Sequence, residues 1–186
     1  NNKKFHIRNI IADDEGGFVD LGVRYHNNRT KKVKSEAVLG DIHVGVECPI
    51  AMEKTVEIIN QLDCKKIYIN DLFDAQSVNP HVEKNLKAKY MREHHQNSLN
   101  AELTYLGEFI KDFSKKTKNK EIIVIPSNHD FFVDRYLNEG KFVMDSAQNA
   151  KLACELFVPH LDDINPIYHF LKSRKYLDKV KVSFPK

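Results

Sequence analysis

The chain has 186 residues, 41% of them hydrophobic, and its 29 Lys and Arg against 26 Asp and Glu leave a formal charge of +3. This suits one core-forming domain over 1–186 and excludes a disordered tail. No apolar run approaches the roughly 20 residues needed to cross a bilayer, no signal-peptide pattern opens the chain, and Cys48, Cys64 and Cys154 lack any Cys-x-x-Cys spacing. A cytoplasmic protein with ordinary buried or half-buried thiols and no membrane partner is expected.

Phe5 to Ala12 and Phe18 to Tyr25 read as two strands of a hairpin around the Asp13 to Gly17 turn, which would form an antiparallel edge. Arg29, Lys31, Lys32 and Lys34 then make a first basic stretch. Ala37 to Leu39 is an apolar run that ends in Gly40-Asp41-Ile42-His43. Pro49 opens a periodic segment in which Ile50, Val56, Ile59 and Leu62 share one face, predicting a helix over 50–62. A second apolar run, Ile67 to Ile69, ends in Asn70-Asp71-Leu72-Phe73-Asp74, so Val38 to Ile69 forms a βαβ unit with parallel strands.

Residues 82–116 are helix-rich, with Leu99, Leu103, Leu106 and Ile110 at helical spacing and a break expected near 97–100. Tyr90, Tyr105, Phe109 and Phe113 read as core. Lys84, Lys87, Lys89 and Arg92 read as a wet helix face, and the adjacent His94 and His95 point too far apart on a helix to share an ion. Lys111, Lys115, Lys116, Lys118 and Lys120 form a second basic stretch. Either stretch can attract phosphate, although each alone is more simply a solvated helix end or loop. A third run, Ile122 to Ile125, ends in Ser127-Asn128-His129-Asp130. Beyond it, helices over 145–158, stopped by Pro159, and over 166–176 precede a strand over 179–184.

The three clusters thus follow three apolar strands, where a parallel sheet presents its carboxyl ends and where open α/β sheets put their sites. Carboxylate, amide oxygen and imidazole together suit divalent metals. Asp41 and His43, one residue apart, would hold a first ion; Asp71 has two oxygens able to bridge a pair; Asn128 offers a neutral oxygen to a second. His129 has the range to protonate a leaving oxygen, and Asp74 would fix its tautomer. Singly, each cluster is an ordinary loop and Asp71 or Asp74 an ordinary helix cap. Their joint, ordered occurrence is what points to metal-assisted hydrolysis.

Gly-Asp-x-His, Asp-x-x-Asp and Asn-His-Asp in this order resemble the first three motifs of the calcineurin-like metallophosphoesterase superfamily, over Gly40 to Asp130. The resemblance implies a sandwich of mixed β-sheets flanked by helices and hydrolysis of phosphate esters. It implies two divalent ions, manganese first with iron, zinc or magnesium as alternatives, held by Asp41, His43, Asp71 and Asn128. It also implies that His129, paired with Asp74, acts in catalysis. Asp71-Leu72-Phe73-Asp74 is similar to DNA-repair nucleases of the Mre-eleven and SbcD type. Ser77-Val78-Asn79-Pro80-His81 looks like phage-encoded members, which would place the protein in a host cytoplasm; His81 is then a phosphate contact or a loop residue.

DNA is therefore the expected partner and a phosphodiesterase the expected enzyme. A phosphomonoesterase or nucleotide hydrolase, or a degenerate binding module, are the alternatives. Asn70 and Ser127 stand where the family usually has Gly, and the family's further His and Gly-His-x-His are absent, only His160 and His169 following Asp130. A longer parent chain carrying those histidines, with the 186 residues weakly active or inactive alone, is the expectation.

Overall fold

The computed structural model describes residues 9–81, 86 and 98–185. The stretch of Lys84 to Arg92, with Tyr90, His94 and His95, lies outside them apart from Leu86, as does the first half of the expected first strand (5–8). Of that strand only a bridge from Ala12 to Phe18 is described.

The architecture is α/β, with two sheets of different kinds. β1 (Phe18–Asp20), β2 (Val23–His26) and β3 (Arg29–Lys32) make an antiparallel meander. The expected single strand over 18–25 is broken by a two-residue turn, with both Leu21 (φ 46°) and Gly22 (φ 77°) left-handed, the geometry that matches the twist of hairpin strands. Asn27 (φ 47°) and Asn28 (φ 58°) repeat it between β2 and β3. The Asp13 carboxylate accepts from Gly17 N at 2.8 Å and from Arg24 at 2.6 Å, pinning the preceding turn. The meander is a sheet of its own, not an edge of the larger one.

The second sheet is parallel throughout, in the order β4 (Ala37–Leu39), β5 (Lys66–Asn70), β6 (Glu121–Ile125), β7 (Val182–Ser183). The expectation of mixed sheets gives way, among the described residues, to one purely antiparallel and one purely parallel sheet. Ile67, Ile69, Ile122 and Val124 point into the core. Val38, Tyr68, Ile123 and Ile125 point the other way and stay exposed or half-exposed, Val38 at 75%. Parallel sheets are ordinarily covered on both faces; among the described residues this one is covered on one.

The core is closed by α1 (Pro49–Gln61), α2 (Leu99–Lys116), α3 (Phe131–Asn138), α4 (Ala147–Leu161) and α5 (Pro166–Ser173). In α1 the inward residues are Met52, Val56 and Ile59, whereas Ile50, expected on that face, is 72% exposed. Serine and asparagine caps start three helices: Ser98 Oγ accepts from Ala101 N, Ser146 Oγ from Asn149 N, and Asn165 Oδ1 from Tyr168 N. The start of α2 at Leu99 falls in the window where a break was expected.

Four expectations need correction. Pro159 does not stop α4, which runs two residues further; a proline this close to the end removes one donor, and its carbonyl still accepts from Asp162 N and Ile164 N. The last strand shrinks to two residues. Tyr105 is 47% exposed, its hydroxyl donating to Glu47 at 2.8 Å, while Phe113 alone of the described aromatic set is fully buried. Cys48 and Cys154 are exposed, and only Cys64 is buried. Among the described residues no helix is long and apolar enough to cross a membrane.

Gly107 sits in the middle of α2 because Tyr176 needs the space: a Cβ there would lie 2.4 Å from Tyr176 Cγ. Alanine would gain about 1 kcal/mol of helix propensity and incur about 1–3 kcal/mol of overpacking. Gly107→Ala is therefore expected to lower the midpoint of chemical denaturation; a raised midpoint would mean that Tyr176 moves aside freely.

Candidate metal centre

Because β4, β5 and β6 are parallel and in register, with Leu39 beside Ile69 and Asn70 beside Ile125, their following loops leave from one edge of the sheet. Pairing continues past the strands: His43 N donates to Asp71 O at 3.0 Å and Val44 N to Leu72 O at 2.9 Å, and Val44 bridges Phe73 in parallel. Ile42, Val44, Leu72 and Phe73 are buried beneath these loops and hold them down. Four residues here lie in the left-handed region: Asp41 (φ 54°), His43 (φ 48°), Asp71 (φ 50°) and Ala75 (φ 48°). Asp and His enter that region more readily than most residues, and alanine least comfortably of the four. Backbone strain of this kind gathers where side chains must be aimed. Asn70 and Ser127, the replacements for glycine, do not need that conformation, so their substitution strains nothing.

The loops bring one donor group together: His43, Asp74 and His129 present ligand atoms that all lie within 4.8 Å of one another. Asp74 Oδ1 is 3.2 Å from His43 Nδ1, in a hydrogen bond, and 3.1 Å from His129 Nδ1, where the ring makes no aligned bond. The two imidazoles are 4.7 Å apart, and Phe132 stacks on His129 at 5.1 Å. Gln76 Nε2 donates to the other Asp74 oxygen at 2.6 Å. Asp74 is thus held on both oxygens, buried, and keeps a proton on His43 Nδ1. His43 Nε2 is left with its lone pair on the side of Asp41, whose Oδ1 is 3.8 Å away.

The other expected residues stand as follows. Asp41 is open to solvent, its side chain 86% exposed. Asp71 is half-buried, and its Oδ1 is fully enclosed without a hydrogen-bond partner. Asn128 is exposed at the head of the third loop. The group brought closest is therefore not the expected ligand set of Asp41, His43, Asp71 and Asn128, but the expected catalytic pair plus His43. His43, Asp74 and His129, two imidazoles and a carboxylate, are donors of the kinds that fit a divalent cation, and the enclosed Asp71 Oδ1 is a further carboxylate oxygen without a partner.

Neither basic stretch borders this centre. Lys118 and Lys120 precede β6, at the opposite end of the sheet, and Lys120 and Lys65 are paired with Asp63 at 2.5 and 2.9 Å. These lysines hold the Asp63 carboxyl down to about 2. Arg29, Lys31 and Lys32 line the exposed β3, whose meander meets the larger sheet's amino end where a Cβ on Gly22 would lie 3.3 Å from Ser35 Oγ and 3.7 Å from Leu62 O.

Two residues at the centre, Gln76 and Asp130, were given no role from the sequence. Gln76 carries no motif. Asp130 belongs to Ser-x-x-Asp, a capping-box spacing: Ser127 N donates to Asp130 Oδ2 at 3.0 Å and Asp130 N to Ser127 Oγ at 3.4 Å, so the cluster also starts α3. No family model, curated protein or solved structure matches this chain.

Burial pushes the Asp130 carboxyl up to about 6; the bonds from Ser127 resist, and the charges of Asp71 and Asp134 add to the rise. A folded value above the ordinary 3.8 means that the folded state holds this proton more tightly. Its stabilising effect is complete below about pH 4 and lost as pH rises through about 6. In chelator-treated protein, Asp130→Asn is expected to flatten the fall of melting temperature between those values; an unchanged slope would place the titration elsewhere.

Proposed function

We propose that the protein is a metal-dependent phosphoesterase, with DNA phosphodiesters as its first substrate class. The observation that carries the reading is the meeting of His43, Asp74 and His129 from three loops at the carboxyl edge of three parallel strands. The enclosed, unpartnered Asp71 oxygen supports it. The choice of DNA rests on the resemblance of Asp71-Leu72-Phe73-Asp74 to repair nucleases, and with it goes the finer fold reading of a metallophosphoesterase-like sandwich.

Bound divalent cations would polarise the phosphoryl group and lower the pKa of water. Asp41, His43 and Asp71 would hold the cations, with Asn128 supplying an amide oxygen from the third loop. Asp74 keeps a proton on His43 Nδ1, leaving the Nε2 lone pair for ligation. His129, its Nδ1 3.1 Å from Asp74 Oδ1, would as the imidazolium, its charge beside that carboxylate, give its Nε2 proton to the departing oxygen. Phe132 against its ring limits the rotation that would spoil this.

A second reading, hydrolysis of a small phosphate ester, is favoured by one observation: the groove beside Asp41 and His43, lined also by Val38, Val46, Glu47 and Met52, contains no Lys or Arg to grip a polyanion. Parallel assays on plasmid DNA, a chromogenic diester and a chromogenic monoester separate the two. Manganese-dependent cleavage is expected, and Asp71→Asn and His129→Ala should each reduce it by about a hundredfold or more. Full activity in both variants would refute the assignment.

Manganese at a hundred times its dissociation constant should also stabilise the protein by about 2.7 kcal/mol. That gain is expected to vanish in His43→Ala. Identical melting curves with and without manganese would argue for a binding module without metal.

A further inference from the structure

α1 and α2 lie side by side and leave a groove of about 700 Å³ between them. It is bounded at one end by Asn60 Nδ2 donating to Lys116 O at 2.9 Å and at the other by Tyr105 Oη donating to Glu47 at 2.8 Å. Its floor is apolar: Met52 and Val56 from α1, and Phe109 and Phe113 from α2, whose rings stack at 5.8 Å. Both walls are acidic, with Glu53 and Glu57 one helical turn apart on α1 and Glu108 and Asp112 one turn apart on α2. Glu47 closes the head of the groove. Lys116 is the single cation in the lining and is taken up by Asp112 at 2.7 Å, as the neighbouring Lys54 is by Glu57 at 2.8 Å. Among the described residues Glu53 on α1 and Glu108 on α2, both lining the groove, have no ion-pair partner.

We propose that this groove receives a basic amphipathic helix of a partner protein. An apolar stripe at helical spacing would cover Met52, Val56, Phe109 and Phe113. Lys or Arg flanking that stripe at one-turn intervals would meet the carboxylates on either wall. The charge pattern excludes an acidic or neutral helix, because it would leave the walls desolvated and unpaired. A nucleic-acid strand is excluded by the same carboxylates. The proposal is independent of the phosphoesterase reading: none of the groove residues is among the candidate metal ligands, and the site test and the groove test use different variants.

The probe is a fluorescein-labelled synthetic peptide of leucine and lysine alone, about 18 residues or five helical turns long, with leucines on one face. Its binding to the full chain is followed by fluorescence anisotropy. Two comparison peptides replace the leucines by serine and the lysines by glutamate. The leucine-lysine peptide is expected to bind, the serine peptide about tenfold or more weakly, and the glutamate peptide not at all. Glu53→Lys with Glu108→Lys should weaken binding about tenfold or more, and Glu53→Gln with Glu108→Gln by less, with melting temperatures checked for each. Hydrogen exchange should show protection over α1 and α2. No binding, equal binding of the serine peptide, equal binding by the charge-reversed variant, or protection confined to other elements would overturn the proposal. So would a dimer of the chain that the charge reversal dissociates, which would give the groove to a second copy.

Discussion

The register between β4, β5 and β6 is the constraint on which the centre depends. Side chains along a strand alternate faces, so a slip of one residue would turn Ile67 and Ile69 out of the core and lift the following loop with them. The register extends past the strands, through His43 to Asp71 and Val44 to Leu72. As a result a backbone bond, not a side-chain contact, sets the position of His43 relative to Asp74. The burial that stabilises the sheet and the geometry that gathers the donors are one arrangement.

Asp74 is the second determinant. One carboxylate oxygen is hydrogen-bonded to His43 and lies 3.1 Å from His129 Nδ1 without an aligned bond, while the other accepts from Gln76. Such sharing couples the ring that faces Asp41 to the ring beside Phe132. The sequence suggested the pairing of Asp74 with His129 and missed that with His43, whose ring was given to the metal, since nothing local encodes which rings a carboxylate will reach.

What was legible follows from what is local. The three apolar runs, Ala37 to Leu39, Ile67 to Ile69 and Ile122 to Ile125, became strands because short apolar series rich in β-branched residues suit a parallel sheet. Pro49 marked a helix start by its backbone chemistry. What was not legible depends on tertiary choice. Leu21 looks like a strand residue, and only the pairing of β1 with β2 makes it a turn. α3 was hidden because the same Ser-Asn-His-Asp that begins it was read for its ligands, although its reciprocal Ser127–Asp130 bonds are an ordinary helix start. Ile50 and Tyr105 show the limit of periodicity: it marks a face of a helix, and the neighbour decides how far round that face is covered.

The uncovered face of the parallel sheet has a thermodynamic consequence. Val38, Tyr68, Ile123 and Ile125 already stand wholly or partly in water when the chain is folded, so unfolding adds less new apolar hydration than a sheet sheathed on both sides would release. Those side chains therefore add little to the heat-capacity increment of unfolding, and by that share the stability curve is flatter across temperature.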